Sequence, residues 1–151
     1  MEIACDTSGT HSLQSLIENI NSKEEEEILQ QSIEKHLMKL SCSSNATHII
    51  QKLILTAEDR ERIYLNTFVL DNFVKLSLNG NGICVIKKFI MANHNTEIIN
   101  QILTLIDNNC VELSLDQYGN YAIQYALEVF GSDITYGIIK HVLFTNLTQL
   151  C

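Results

Sequence analysis

The 151-residue sequence contains no proline and no tryptophan. Proline ends helices and punctuates loops, so its absence points to helices joined by short turns. No apolar run approaches the roughly 18 residues that a membrane-spanning helix needs, so no membrane partner is expected. The opening stretch Met1-Glu2-Ile3-Ala4-Cys5-Asp6 lacks a basic start and an apolar core, so no secretory leader is expected. Positive charge is scarce. Ten Lys and Arg stand against 18 Asp and Glu, for a formal charge of −8. A basic field over the whole surface, the usual footprint of a nucleic-acid binder, is therefore absent, and only local patches remain open. Five cysteines, at 5, 42, 84, 110 and 151, are odd in number and form no CxxC. A disulfide framework and a zinc ribbon are both disfavoured, and a reducing compartment, cytoplasm or nucleus, is expected.

Catalytic signatures are missing too. No Ser/His/Asp arrangement or paired-carboxylate motif appears. The stretch Asn79-Gly80-Asn81-Gly82 is followed by no Gly-Lys-Ser/Thr, so it reads as a turn rather than a phosphate loop. His36, His94 and His141 form no metal-ligand spacing and read as surface or capping residues. Neither an enzyme, nor a cofactor, nor a metal is expected.

What is present is a repeat. Segments 3–17, 40–54, 76–90 and 113–127 align without gaps, at intervals of 37, 36 and 37 residues. Each contains a small residue, Gly9, Ala46, Gly82 or Gly119, where a turn or neighbouring helix can approach closely. Apolar residues then recur at i, i+3, i+4 and i+7, the stripe of one buried helix face. They are Ala46, Ile49, Ile50, Leu53 and Ile54 in the second segment. The third has Val85, Ile86, Phe89 and Ile90, and the fourth Ala122, Ile123, Ala126 and Leu127. Ser8, Asn45, Asn79 or Asn81, and Asp116 precede these helices and suit capping and turn roles. Further helices are expected over 23–36, 58–76, 96–106 and 133–144. The first carries Glu24-Glu25-Glu26-Glu27 at its positive end, which reads as a solvated helix start. Cys5 and Cys42 share a column with Leu78 and Leu115, which marks core packing. Helix pairs stacked side by side make an all-α solenoid. The register divides one domain, 1–151, into a partial repeat 1–20, repeats 21–56, 57–93 and 94–130, and a partial repeat 131–151.

The apolar columns specify a core, so function falls to the polar columns. Positions i, i+1 and i+4 of each repeated helix project together. They are Thr10/His11/Gln14, Thr47/His48/Gln51, Ile83/Cys84/Lys87 and Asn120/Tyr121/Gln124. In three sets, groups that can bond base edges flank a flat ring that can stack between bases.

Tyr118-Gly119-Asn120-Tyr121-Ala122-Ile123-Gln124-Tyr125 resembles a Pumilio (PUF) RNA-binding repeat. So do Ser8-Gly9-Thr10-His11-Ser12-Leu13-Gln14 and Asn45-Ala46-Thr47-His48-Ile49-Ile50-Gln51-Lys52, and more weakly Asn81-Gly82-Ile83-Cys84-Val85-Ile86-Lys87-Lys88. The resemblance implies a right-handed α-solenoid of stacked three-helix repeats, curved with a concave RNA-facing surface. It implies single-stranded RNA running antiparallel to the protein, one base per repeat. Thr10, Gln14, Thr47, Gln51, Lys87, Asn120 and Gln124 would take the base-edge places, and His11, His48 and Tyr121 the stacking places. The Asn120/Tyr121/Gln124 set implies uracil, and the Thr/Gln sets imply adenine. Ile83 cannot bond a base edge, and Lys87 stands where the family pattern has Gln. The repeat that reads guanine in the family is absent. The implied role is binding of mRNA 3′ untranslated regions to lower translation or message stability, with deadenylase or translational repressor proteins as partners. Three competent repeats gross roughly 10 kcal/mol from stacking and edge contacts, before association costs of similar size. Weak, salt-sensitive binding is therefore expected of this chain. The alternative is a degenerate α-solenoid that acts as a protein-interaction scaffold and carries no RNA.

Overall fold

The computed structural model of the chain describes residues 35–57 and 59–131, with Tyr136 and Gly137 beyond them. Eight helices follow in order among these residues: α1 (Leu37–Ser41), α2 (Thr47–Thr56), α3 (Asp59–Asp71), α4 (Phe73–Ser77), α5 (Gly82–Ala92), α6 (Thr96–Asn108), α7 (Cys110–Leu115) and α8 (Gly119–Phe130). No strand occurs among the described residues. The acidic run Glu24-Glu25-Glu26-Glu27 and the first repeat segment, with Thr10, His11 and Gln14, lie outside them.

The repeating unit is a long helix, a short helix and an inner helix, seen as α3–α4–α5 and again as α6–α7–α8. This corrects the expectation of helix pairs. Periodicity over 58–76 predicts one helix, yet the chain breaks at Asn72, where ψ moves to 15°. Asn109 breaks the next unit in the same conformation, with ψ 19°. Each side-chain amide donates back to a carbonyl four residues earlier, Asn72 to Phe68 and Asn109 to Leu105, both at 2.8 Å. The Phe68 carbonyl also accepts from the Asn72 backbone amide at 3.2 Å, so the side chain adds a second bond at the helix end. The hydrophobic pattern runs on through the break because both helices face one core, with Val69, Phe73 and Leu76 all buried.

The inner helices form the central row. Helix α2 packs on α5 and α5 on α8, while α4 and α7 back them. The expected apolar stripe is the core: Ala46, Ile49, Ile50, Val85, Ile86, Phe89, Ile90 and Ala122 are fully buried. The small column works by close approach. A Cβ on Gly82 would lie 2.5 Å from the Leu76 carbonyl oxygen, and one on Gly119 2.8 Å from that of Leu113. The first turn of each inner helix thus rests on the backbone of the short helix before it.

The turns that precede the inner helices are held by one side chain each. Asn79 Oδ1 accepts from the amides of Asn81 and Gly82 at 3.0 and 2.9 Å. Asp116 Oδ1 accepts from those of Tyr118 and Gly119, both at 2.8 Å. In the second repeat Ser43 takes this place, its Oγ accepting from Ala46 at 3.4 Å. Ser43 lies in the same column as Asn79 and Asp116, three residues after the repeat's opening leucine.

Candidate nucleic-acid interface

Because α2, α5 and α8 lie side by side, the sets 47/48/51, 83/84/87 and 120/121/124 fall on equivalent turns of three neighbouring helices. The three sets differ in what they offer.

The set on α8 is the most complete. Gln124 Nε2 donates to Asn120 Oδ1 at 2.9 Å, and Asn120 Nδ2 donates to the Asp116 carbonyl at 2.8 Å. This chain of bonds holds both amides in one orientation before any ligand arrives. It leaves the Gln124 carbonyl oxygen and one hydrogen of each amide available, which is an edge with both donor and acceptor character. Between them Tyr121 is 44% exposed. Its ring stacks on Tyr125, with centroids 6.2 Å apart and an interplanar angle of 23°. One ring face is thereby braced.

The set on α2 is arranged differently. Thr47 is buried and its hydroxyl donates to the Asn81 carbonyl at 3.2 Å. Gln51 Nε2 donates to Thr47 Oγ1 at 3.4 Å. His48 is exposed beside them. The Thr47 hydroxyl thus ties this repeat to the next, and Asn81 returns the tie by donating from Nδ2 to the Cys42 carbonyl at 3.1 Å.

On α5, Ile83 is 6% exposed and belongs to the core. Cys84 is an exposed free thiol. Lys87 is exposed, and its Nζ stands 4.8 Å from the centroid of the Tyr125 ring. A cation over a ring face at that distance is attracted by the ring quadrupole. Two roles in this row are not expected from sequence. One is the tie made by Asn81, expected only as a capping or turn residue, to a carbonyl 39 residues away. The other is that of Tyr125, which shares a column with Lys52 and Lys88 and so carried a positional signal.

Charge differs between the inner helices and α6. The inner helices carry Lys52, Lys87 and Lys88 against a single carboxylate, Glu128 at the far end of α8. Helix α6 carries Glu97 and Asp107 with no cation. The net negative charge of the chain therefore does not describe this row. No group of three or more His, Cys, Asp and Glu among the described residues is placed to hold a metal ion.

Comparison with known proteins agrees with this architecture. A family profile described as the Pumilio-family RNA binding repeat matches residues 1–32, 36–65 and 109–143. The stretch between the last two matches contains Ile83, Cys84 and Lys87. Pumilio homolog 12 of Arabidopsis thaliana is 26% identical over 150 residues, covering 99% of this chain and 25% of that protein. The solved structure of the Puf4 RNA binding domain bound to the HO endonuclease RNA 3′ UTR recognition sequence superposes with a TM-score of 0.79 at 22% identity. It covers 98% of this chain and 45% of the other. The Puf3 RNA binding domain bound to a Cox17 RNA 3′ UTR recognition sequence gives 0.74 at 26%, covering 93% and 40%. The chain spans about a quarter of the curated relative and under half of each solved domain. Repeat register, small-residue columns, inner-helix row and profile match converge: the chain belongs to the Pumilio family of RNA-binding repeat proteins.

Proposed function

We propose that this chain binds single-stranded RNA along the row α2–α5–α8 and acts by binding rather than catalysis. The observation that carries the reading is the α8 set. An exposed, braced tyrosine stands beside two amides that are already locked to each other and to the backbone. A surface serving only solubility has no need for such order. The base meeting Asn120 and Gln124 is uracil on the family's pattern, and Gln51 and His48 receive a second base, with adenine the implied partner. Lys52, Lys87 and Lys88 supply the local positive charge that the chain as a whole lacks. The wider role that fits is regulation of mRNA translation and stability through 3′ untranslated regions, in the cytoplasm, with deadenylase or repressor proteins as partners.

The test is fluorescence anisotropy of labelled short RNAs against the chain and against a Tyr121→Ala, Gln124→Ala variant. Stacking and edge contacts are each worth roughly 1–3 kcal/mol, so the variant loses at least about tenfold in affinity for uridine-containing RNA. Its helical circular dichroism stays unchanged because neither side chain is in the core. RNA binding that the variant leaves intact would reject the reading and turn the search to protein partners, as a scaffold would require.

A further inference from the structure

We infer that the repeat carrying Ile83, Cys84 and Lys87 holds one nucleotide without reading its base, so the RNA element recognised by this chain has one unspecified position between two specified ones. The inference rests on the RNA-binding reading above and narrows it.

Helix α5 presents three side chains to the row. Ile83 is apolar and 6% exposed, so it offers neither donor, acceptor nor accessible surface. Cys84 offers a thiol, a weak hydrogen-bonding group, and no ring on which a base could stack. Lys87 is the single strong donor of the set. A lysine ammonium is a compact rotatable charge without the planar geometry that distinguishes one base edge from another. It donates to a phosphate oxygen as readily as to a base carbonyl. The Tyr125 ring draws it towards the neighbouring repeat, at 4.8 Å from the centroid.

The scaffold beneath these residues is not degenerate. Helix α5 starts on a glycine seated against the preceding short helix, as α8 does. Its turn is held by Asn79 as that of α8 is held by Asp116. What differs is the three side chains, not the backbone that presents them. Nor can the strand avoid this repeat. Helix α5 packs on both α2 and α8, so a strand that engages His48 and Tyr121 together must cross it. The crossing nucleotide meets Lys87 and the thiol, and no edge-reading pair.

The same comparison supplies the converse variant. Ile83→Asn, Cys84→Tyr and Lys87→Gln together place on α5 the side chains that α8 carries at the equivalent positions. The Asn79 carbonyl stands where that of Asp116 stands, available to hold the new amide.

The experiment is in vitro selection from a randomised RNA pool with the full chain, followed by anisotropy on the enriched element with all four bases at each position. A specified position worth about tenfold or more is expected on each side of one where the four bases agree within about threefold. The triple variant is expected to give that middle position the base preference of the α8 position, by about tenfold. Three consecutive specified positions for the native chain would overturn the inference while leaving RNA binding intact. A folded triple variant that stays indifferent would overturn it as well. Absence of any enriched element would reject the RNA reading itself, and this inference with it. Circular dichroism reports whether the triple variant folds, and if it does not, the selection on the native chain decides alone.

Discussion

At the scale of single residues, the distinction that matters is between polar groups already spent on the fold and those left for a ligand. Thr47 and Asn120 sit in one column, and each donates to a backbone carbonyl and accepts from the glutamine four residues on, yet what they bond differs. The Thr47 hydroxyl is buried and donates across the repeat boundary to Asn81. The Asn120 amide donates to its own turn and accepts from Gln124. The cysteines divide in the same manner. Cys84 is exposed, Cys110 is buried, and Cys42 lies half-buried with its thiol 3.7 Å from Met38 Sδ. Burial pushes the Cys42 thiol above the usual range, and the nearby Lys75 opposes this in part. The thiolate is the reactive form, so Cys84 is expected to alkylate well before Cys42 and Cys110. Peptide mapping after timed iodoacetamide treatment near neutral pH checks the order. The same shift fixes a sign. A thiol raised in the folded state binds its proton more tightly there, so its contribution to stability is complete below the ordinary thiol range and is lost as pH rises through it.

At the scale of elements, the repeat depends on how closely an inner helix can sit on the short helix before it. Alanine favours a helix over glycine by about 1 kcal/mol in the absence of contacts. At Gly82 the added Cβ would meet the Leu76 carbonyl oxygen at 2.5 Å, and backbone cannot turn aside as a side chain can. Gly82→Ala is therefore expected to lower stability by about 1–3 kcal/mol, the range for overpacking. Gly80→Ala is the control. Its nearest neighbour is the tip of the Tyr118 ring at 3.0 Å, which can shift, so the loss there is expected below about 1 kcal/mol. Urea denaturation of both variants checks the pair. Equal stabilities of Gly82→Ala and the parent chain would refute the close-approach account. Asn72 and Asn109 act at the same scale, since each stands between a long and a short helix and bonds a carbonyl of the long helix's last turn.

At the scale of the whole molecule, net charge is a poor guide to what the inner row meets. The row carries three lysines and one carboxylate, while Asp71, Glu97 and Asp107 lie on α3 and α6. With at most three phosphates neutralised, the logarithm of the RNA association constant is expected to fall against that of salt concentration with a slope no steeper than about −2. Titrations by anisotropy at several ionic strengths measure it. A slope steeper than about −4 would mean that cations outside the row carry the binding. Affinity from so few repeats is expected to be modest, because stacking and edge contacts must first offset the cost of association.

The amino-acid pattern alone determined the repeat period, the all-helical class, the buried stripe from Ile49 to Ile90 and the column in which ring and amide alternate. These are local or periodic properties, written in residue type at fixed spacing. It also marked Ile83, Cys84 and Lys87 as departures. It did not show the break at Asn72 within 58–76, because hydrophobic periodicity reports which side faces the core and both halves of the break face the same one, nor the short helix Cys110–Leu115. Nor did it show that Thr47 is spent on Asn81, that Lys87 stands over Tyr125, or that Ser43 bonds the amide of Ala46. Those bonds join groups whose separation depends on how one repeat settles against the next, and only tertiary packing sets that distance.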